Sequence, residues 1–502
     1  MDYFLGIDVG TSGVKATLID ERGHIAGSAT APHPLSTPQP GWAEQKPQDW
    51  WTSTTRAVAR LIRSARIPAA RIASVGLSGQ MHSSVFLDSE SRVIRPALLW
   101  CDGRTSEECR SITERIGEKE LAKHACNPAL EGFTLPKVLW LRNHEPAAFA
   151  RLAKVVLPKD YVRYRMTGVL ATEPSDASAT LMYDTARRRW SAEIVDAMDL
   201  DRSILPDVGE SAEALGKVSR GAAKALGLRE GTPVVGGGAD NACGALGVGA
   251  VSVDEAVASW GTSGTVLVVS ETPRVDPAMR VHTFCHVVPN TWYLMGVMLT
   301  AGGAFSWFAR ELAKDVAKGS PKQSVEEVLN REAARIAPGA EGLTFLPYLQ
   351  GERTPHRDAS ARAAFVGLSL AHTRAHMARA VMEGICFGLR DSLEILRSRT
   401  KTIDRVLATG GAARSPFVRK MQADIFGLPV IRVNREEGPA YGAALLAAVG
   451  AGAFPDLPAA CRLTLKRLKP TPSDASAHRA YEAPYRRFHA LYPALKAAAR
   501  AS

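Results

Sequence analysis

Two stretches of the chain alternate short apolar runs with the same glycine-bounded turn. The apolar residues 4–9 lead into Gly-Thr-Ser-Gly at 10–13, and a second apolar run follows directly. The same tetrapeptide recurs at 261–264, again between two apolar runs. Strand, turn and strand predict a β-hairpin at each place. Because the copies lie about half a chain apart, the pattern predicts two similar domains that face each other.

The remaining periodicities predict an α/β protein. Three strands are predicted over 3–30, a helix from Pro47, and further strands over 72–78 and 232–235. In the second half the pattern predicts a helix over 373–397, a strand over 405–409, a helix capped by Ser415 and a small-residue helix over 439–449. These elements divide the chain into a first domain, 1–248, a second domain, 249–452, and a helical extension, 453–502, packed on the second domain.

Composition narrows the class of protein. A chain of 502 residues exceeds what one core usually supports, and no apolar run is long enough to span a membrane. The N-terminus lacks the basic region of a signal peptide, and the seven cysteines form no CxxC pair, so we expect a cytoplasmic protein with reduced thiols.

The net charge of +11 is dispersed, which argues against nucleic acid as a partner. No membrane partner is expected, and a homodimer is left open.

The two carboxylates Asp8 and Asp240 are the candidate catalytic residues. Phosphoryl transfer to a hydroxyl needs a metal, donors around the phosphates and a carboxylate near the attacking oxygen. Asp8 ends the first strand, where it could hold Mg²⁺ directly or through water. Asp240 follows a strand and a glycine run and begins a helix, whose positive dipole end favours the ionised carboxylate. Asp240 is therefore predicted to accept the proton of the attacking hydroxyl.

The glycine-rich turns predict the nucleotide site. Glycine lets a backbone approach a ligand closely, and turn N–H groups can point at an anion. The two hairpins are predicted to grip the phosphates of one nucleotide, and the Gly-Gly pair after the strand at 405–409 is placed beside its adenosine. The predicted nucleotide-binding residues are Gly10, Thr11, Ser12, Gly261, Thr262, Ser263, Gly302, Gly303, Gly410, Gly411 and Ser415.

Three strand exits in the first half carry polar or aromatic residues. Ligands of α/β sheets bind at strand ends, and a sugar needs several polar groups converging on its hydroxyls. The predicted substrate-binding residues are Met81, His82, Trp100, Asp102, Arg104, Asp240 and Asn241.

Each of these features also has a plainer interpretation. A single Gly-Thr-Ser-Gly is more often an ordinary tight turn, and Asp240 could be only a helix cap. A lone His82 is more often structural, and Asp102 with Arg104 could form a local ion pair. The aromatic stretch 305–308 is favoured as core packing over a pocket wall. Only the combination of these features points to a site.

Seven segments of the chain, in this order and spacing, resemble the FGGY carbohydrate kinases, and most of all the members that phosphorylate D-xylulose. They lie at 6–12, 79–82, 99–104, 238–241, 260–264, 348–355 and 438–443. The resemblance implies two ribonuclease-H-like, actin-like domains with ATP in the cleft between them. It also implies that Asp240 is the base on the sugar's 5-hydroxyl, that Met81 and His82 touch the sugar, and that Asp8 serves Mg²⁺ and the phosphates. Ser83 and Cys101 depart from the common pattern, where Gly and Asn are frequent.

Other functions compete with this one. A kinase for L-ribulose, gluconate or another polyol would share most of these features, although the segments at 81–82 and 100–104 argue against glycerol. From another class, an actin-like or chaperone-like nucleotide clamp would share both hairpins, but it would not need polar residues at three strand exits. A catalytically silent regulator is disfavoured because both Asp8 and Asp240 are present.

Overall fold

A computed structural model of the chain describes residues 2–319, 324–400, 402–435 and 437–500. The strands of its first half are β1 (Tyr3–Val9), β2 (Gly13–Asp20), β3 (Ile25–Pro32), β4 (Glu44–Gln45), β5 (Ile72–Gly79), β6 (Val85–Leu87), β7 (Ala97–Leu98), β8 (Lys154–Val156), β9 (Ala171–Thr172), β10 (Tyr183–Asp184), β11 (Arg189–Trp190), β12 (Asp207–Val208), β13 (Ala214–Lys217), β14 (Pro233–Val235) and β15 (Gly238–Ala239). The helices of this half are α1 (Pro47–Ala65), α2 (Ser106–Ile116), α3 (Glu118–His124), α4 (Thr134–His144), α5 (Pro146–Phe149), α6 (Pro158–Thr167), α7 (Pro174–Ala177), α8 (Ala192–Ala197), α9 (Arg220–Leu226) and α10 (Asp240–Gly247).

The second half continues the alternation of strands and helices. Its strands are β16 (Ala256–Trp260), β17 (Gly264–Ser270), β18 (His282–Cys285), β19 (Trp292–Met298), β20 (Thr344–Leu346), β21 (Ala364–Val366), β22 (Val406–Thr409) and β23 (Val430–Ile431). Its helices are α11 (Gly302–Leu312), α12 (Lys314–Gly319), α13 (Val325–Ala333), α14 (Arg374–Arg397), α15 (Pro416–Phe426), α16 (Pro439–Gly450), α17 (Leu457–Thr464) and α18 (Ala475–Arg500). The predicted strands, and the helices from Pro47 and Ser415, are confirmed.

The two halves repeat one sheet topology. The first sheet runs β13-β14-β5-β1-β2-β3, with β15 also paired to β5, and the second runs β18-β19-β17-β16-β22-β23. Each sheet holds an antiparallel hairpin, β1–β2 or β16–β17, extended on one side by an antiparallel strand. On the other side of each hairpin a parallel strand is added, β5 or β22. Both glycine-bounded turns therefore occupy the same place in their own sheet.

Two helices pack together between the sheets and join the halves. Helix α16 comes late in the chain, yet it packs against β1 and β5 of the first sheet as well as against α10. Ser74 on β5 donates from its hydroxyl to the carbonyl of Ala447 on α16, at 2.6 Å. The domain limits drawn from the sequence stay a prediction, since α16 belongs to the packing of both halves.

The last helix lies on the second half. Helix α18 packs against α15, α14 and β20, and its Tyr481 and Phe488 are buried in the second core. All seven cysteines are free thiols. Within the described ranges, no helix is both long and apolar enough to cross a membrane.

Candidate active site

Three adjoining cavities follow one another along the gap between the halves. The middle cavity, about 390 Å³, is lined by Asp8 and Asp240 among others. A smaller cavity of about 140 Å³ shares Asp240, Asn241 and Thr265 with it. A third cavity, about 380 Å³, shares Gly411 with the middle one. Asp240 thus stands where the small cavity opens into the long cleft, which is the position that a group acting between two substrates needs.

Asp8 projects from the end of β1 into the middle cavity. It stands opposite Lys15 in the β1–β2 ladder and beside Ser78 in the parallel β1–β5 pair. Burial raises the pKa of Asp8 to about 6, although the charge of Lys15 and the nearby hydroxyl of Ser78 act in the opposite direction. One carboxyl oxygen, Oδ1, is buried without a hydrogen-bond partner in the described structure. A buried oxygen without a partner is available to a cation or its water.

The backbone before Asp240 is fixed by a buried polar network. Gly237 has φ +83°, and a Cβ there would lie 2.2 Å from the carbonyl oxygen of Leu77, so the turn into β15 requires glycine. The N–H of Ala239 donates to Ser175 Oγ at 2.9 Å, and Ser175 donates to the carboxylate of Glu173 at 2.8 Å. Asp240 follows as the first residue of α10. Its position is therefore set by groups that lie outside the cavities.

The environment of Asp240 makes its carboxylate a stronger base than an ordinary one. Burial and the charge of Asp8 raise its pKa to about 7, against the lowering effect of hydrogen bonds from Asn241. Those bonds come from the backbone N–H, at 2.7 Å, and the side-chain amide, at 2.9 Å, both to Oδ1. The sequence suggested that the helix dipole keeps this group ionised, whereas in the structure burial raises its pKa. A carboxyl with a pKa near neutrality suits proton acceptance.

Four of the predicted substrate-binding residues, Met81, His82, Trp100 and Asn241, line the small cavity with Asp240. The Asn241 amide lies 3.4 Å from Met81 Sδ. His82 has φ +67°, and its carbonyl accepts from Thr134 Oγ1 at 3.0 Å and from Lys137 Nζ at 3.1 Å. These two donors hold His82 in a backbone conformation that few residues other than glycine adopt.

The ring of His82 is neutral and has a defined tautomer. Its Nδ1 lies 2.7 Å from the carbonyl of Ala179, which can only accept, so Nδ1 carries the hydrogen. Burial lowers the pKa of His82 well below its ordinary value; the bond to Ala179 opposes the shift, and the charges of Arg353 and Lys137 add to it. Its Nε2 is left as an acceptor for a ligand hydroxyl.

Trp100 connects the small cavity to the first hairpin. Its indole Nε1 donates to Thr11 Oγ1 at 3.0 Å, and its backbone N–H donates to Ser83 Oγ, also at 3.0 Å. Ser83, a departure from the family pattern, therefore ties Trp100 to the turn that carries His82. Gly10, Thr11 and Ser12 themselves do not line the middle cavity, and their contact with phosphate stays a prediction.

Asp102 and Arg104 lie outside the lining of the small cavity. They form a bidentate ion pair, with N–O distances of 2.9 and 2.8 Å, and Arg104 is also ion-paired with Glu44, with an N–O distance of 2.8 Å. Arg104 stacks over the ring of Trp42 at 3.5 Å, and Asp102 accepts from the N–H of Ala43 at 2.6 Å. The pair holds the loop after Trp100, in agreement with the plainer interpretation of these two residues.

The third cavity gathers the glycines predicted for the nucleotide. It is lined by Gly261, Thr262, Gly302, Gly411, Ser415, Phe305 and Ser306, while Gly410 and Gly411 line the middle cavity. Gly410 has φ +88°, and a Cβ there would lie 2.4 Å from the carbonyl oxygen of Trp260. Phe308 is core, as favoured from the sequence, whereas Phe305 faces the cavity.

The second hairpin uses some of its polar backbone internally. The N–H groups of Gly302 and Gly303 donate to the carbonyls of Gly261 and Thr262, at 2.8 and 2.9 Å. Gly302 and Gly303 therefore support the hairpin, and these two amides are not free for phosphate. Ser263 faces the other way and lines the small cavity.

Sequence reasoning missed several charged residues of the cavities, among them Lys15, Glu437 and Arg353. Lys15 and Glu437 both line the middle cavity, and they form an ion pair at 2.5 Å that joins the two halves. Arg353 comes from the second half and lines the small cavity. Arg353 belongs to the segment 348–355, which carried the family resemblance but received no role of its own.

The fold and the site define a class of protein: a two-domain enzyme with a ligand cleft between two repeated α/β halves. Family models for the FGGY carbohydrate kinases match both halves, the N-terminal domain over residues 3–247 and the C-terminal domain over 256–451. The chain is 43% identical over 457 residues to a xylulose kinase of Bacillus subtilis, covering 91% of this chain and 90% of that protein. A gluconokinase of the same organism is 29% identical over 479 residues, covering 95% and 93% of the two chains.

Comparison with solved structures gives the same family. The ligand-bound xylulose kinase from Lactobacillus acidophilus superposes with a TM-score of 0.91 at 27% identity, covering 99% of both chains. The chain belongs to the FGGY family of carbohydrate kinases. Its fold is the two-domain, actin-like kinase fold that the sequence predicted.

Proposed function

We propose that this protein transfers the γ-phosphate of ATP to the 5-hydroxyl of D-xylulose. The observation that carries the proposal is the place of Asp240, on the wall shared by the small cavity and the long cleft. A sugar in the small cavity would present its end hydroxyl to Asp240, and ATP would extend from Asp8 toward Gly411 and the third cavity. The 43% identity to a xylulose kinase supports D-xylulose as the sugar.

In the proposed mechanism Asp240 accepts the proton of the 5-hydroxyl as that oxygen attacks the γ-phosphorus. The carboxylate is held by Asn241 through Oδ1, which leaves Oδ2 for the sugar. Met81, His82, Trp100 and Asn241 orient the sugar. Holding the two reactants in one geometry accounts for much of the acceleration that kinases achieve.

The residues around Asp8 fit a magnesium ion. Asp8 Oδ1 is a buried oxygen with no partner in the described structure, and Mg²⁺ in kinases is commonly held by one or two carboxylates together with phosphate oxygens and waters. When bound there with ATP, the ion would neutralise phosphate charge. No cluster of three or more acidic, histidine or cysteine ligands occurs in the described ranges, which agrees with a metal held largely by the nucleotide.

The test is ADP release by the purified protein in a coupled assay with a panel of sugars and polyols. We expect D-xylulose to give the highest kcat/KM among D-xylulose, L-ribulose, D-gluconate, xylitol and glycerol. D-gluconate is the second candidate, because a gluconokinase is also a relative over most of the chain. An ATPase rate that no sugar changes would favour the nucleotide clamp instead.

Replacing His82 is expected to weaken sugar binding selectively. Its Nε2 faces the small cavity as an acceptor, and losing one neutral hydrogen bond costs about 0.5–1.5 kcal/mol, up to roughly a tenfold rise in the sugar KM. His82→Ala tests this directly, and His82→Asn is the matched variant because asparagine tolerates the positive φ. Steady-state kinetics should show the ATP KM changing less than the sugar KM. Equal changes in both would place His82 outside the sugar site.

The activity is expected to fall with acidification through pH 7. The pKa of Asp240 is raised to about 7, and the group must be ionised to accept a proton, so activity is full above that pKa and lost below it. In a plot of log kcat/KM for the sugar against pH, the acid limb should have a slope of about one. A profile that is flat across the acid side of neutrality would contradict the role of Asp240.

A further inference from the structure

The small cavity has a cationic side that the proposed mechanism does not use. Arg353 lines this cavity but not the middle one, whereas Asp240 lines both. The guanidinium of Arg353 therefore lies on a part of the wall that the middle cavity does not share. It is also the charged residue that the second half of the chain contributes to this cavity.

Among the described residues, the guanidinium of Arg353 has no paired anion. In the part of the chain that the structure describes, it forms neither a hydrogen bond nor an ion pair, and Glu131 and Glu352 act on it through charge alone. Lys137 lies nearby and is fully buried, with Nζ bonded to the carbonyls of His82 and Gly132. Burial lowers the pKa of Lys137 to about 7, so Arg353 is the group that carries the lasting positive charge on this side of the cavity, and a charge removed from water normally has a partner.

Hydrogen bonds within the second half hold the backbone of Arg353 in place. Its backbone N–H donates to Glu352 Oε1 at 2.8 Å, and the same oxygen accepts from the N–H of Leu299 at 2.9 Å. Further along the loop, Asp358 bonds Tyr492 and Lys496 of α18, at 2.5 and 2.8 Å. The loop that carries Arg353 is thus tied to the second core and to the last helix.

The side chain of Arg353 crosses to the first half of the chain. A Cβ built on Gly132 would lie 2.5 Å from Arg353 Nη2, so the guanidinium rests directly against the backbone of that residue. Gly132 precedes Phe133, whose ring packs on His82 with the centroids 4.6 Å apart. The guanidinium therefore reaches the same part of the cavity wall as His82.

We propose that Arg353 is a substrate-binding residue, and that its guanidinium donates hydrogen bonds to the acceptor oxygens at the end of the substrate remote from the transferred phosphate. This inference rests on the proposed function, in which those oxygens are the carbonyl and 1-hydroxyl of D-xylulose. A carbonyl oxygen only accepts, and guanidinium N–H groups only donate, so the two are complementary. Arg353 would then favour a ketose over the corresponding polyol, and sugar binding would draw on both halves of the protein.

The test compares Arg353→Ala, Arg353→Gln and Arg353→Lys with Arg357→Ala. Arg357 is the matched control because it lies on the same loop and also reaches the first half, where it pairs with Glu118 at 3.6 Å, but it lies outside the cavity lining. We expect Arg353→Ala and Arg353→Gln to raise the D-xylulose KM by about 10- to 100-fold, the effect of losing a hydrogen bond from a charged group. The ATP KM should change by less than about twofold, and Arg357→Ala should resemble the wild type.

Two further measurements separate substrate contact from a structural role. The wild type should prefer D-xylulose to xylitol, which lacks the carbonyl, and Arg353→Ala should lose most of that preference. Added guanidinium ion should lower the raised sugar KM of Arg353→Ala and have no such effect on Arg357→Ala. If Arg353→Ala does not show a wild-type melting curve, Arg353→Gln and Arg353→Lys replace it in these measurements.

The outcomes for Arg353 and for the proposed function can be told apart. A sugar KM within about twofold of wild type in every folded Arg353 variant, or an equal rise in the sugar and ATP KM, overturns the assignment of Arg353. If the wild type instead turns over D-gluconate and not D-xylulose, the proposed function fails. The assignment then stands if the same variants raise the D-gluconate KM, because a carboxylate is also an acceptor, and it falls if they do not.

Discussion

Asparagine in place of Asp240 is expected to lower kcat by about 100- to 10,000-fold, the usual contribution of a general base, and to leave ATP binding nearly intact. Asparagine keeps the oxygen that accepts from Asn241 but cannot take up a proton. The variant should fold normally, because it removes a buried carboxyl whose ionised form is disfavoured by burial and by the charge of Asp8. Its melting temperature should equal or exceed that of the wild type.

Asp456→Asn is the matched control for this substitution. Asp456 also lies at a helix N-terminus, where its side chain caps α17, but it is far along the chain and lines none of the three cavities. Asparagine is as good a cap as aspartate, so the control should keep wild-type turnover. Turnover by coupled assay and ATP binding by calorimetry would be measured on both variants. More than half of the wild-type rate in Asp240→Asn would refute its role as the base.

Much of the fold could be predicted because the relevant signals are local. The repeated Gly-Thr-Ser-Gly turns predicted two hairpins, and both occur at equivalent places in their sheets. Proline at the start of α1 and serine at the N-cap of α15 mark helix starts through backbone geometry and a side-chain acceptor. Asp8 and Asp240 were found because each ends or follows a strand, and strand ends meet at one edge of a sheet.

Side-chain partners could not be predicted in the same way. Asp102 and Arg104 follow a strand exit as Asn241 does, but Arg104 is drawn away from the cavity by Glu44 and by the ring of Trp42. An acidic and a basic residue two positions apart can pair with each other or contact a sugar, and the sequence does not distinguish the two cases. Likewise, Thr11 of the first hairpin accepts a hydrogen bond from the indole of Trp100, a contact between residues 89 positions apart.

Groups that cross between the halves were the hardest to find. Lys15 and Glu437 are more than 400 residues apart in the chain, and Arg353 meets Gly132 across the gap between the halves. Their positions depend on how two separate sheets face each other, which no local periodicity encodes. The sequence offered one signal for Arg353, its place in the segment 348–355. That segment could not be assigned a role before the structure showed that Arg353 lines a cavity.

Asparagine in place of Asp8 is expected to slow phosphate transfer by roughly 100-fold or more, because neutralising phosphate charge through a metal contributes several kcal/mol to the transition state. The buried Oδ1 of Asp8, without a partner in the described structure, is the group proposed to serve the ion. The Mg²⁺ concentration for half-maximal rate should rise at fixed ATP. Binding of Mn²⁺ in the presence of ATP, followed by electron paramagnetic resonance, should weaken in parallel, which gives a readout independent of turnover.

The Asp8→Asn variant should also move the pH profile, and in a direction that only its charge explains. The negative charge of Asp8 contributes to the raised pKa of Asp240, so removing it lowers that pKa and shifts the acid limb of the residual activity to lower pH. Asp20→Asn is the matched control, since Asp20 lies at the far end of the same hairpin, bonds only local groups and lines none of the cavities. It should leave the rate, the Mg²⁺ dependence and the pH profile unchanged. If Asp8→Asn shows the Mg²⁺ dependence of the wild type and an unshifted acid limb, Asp8 has only a structural role in the turn.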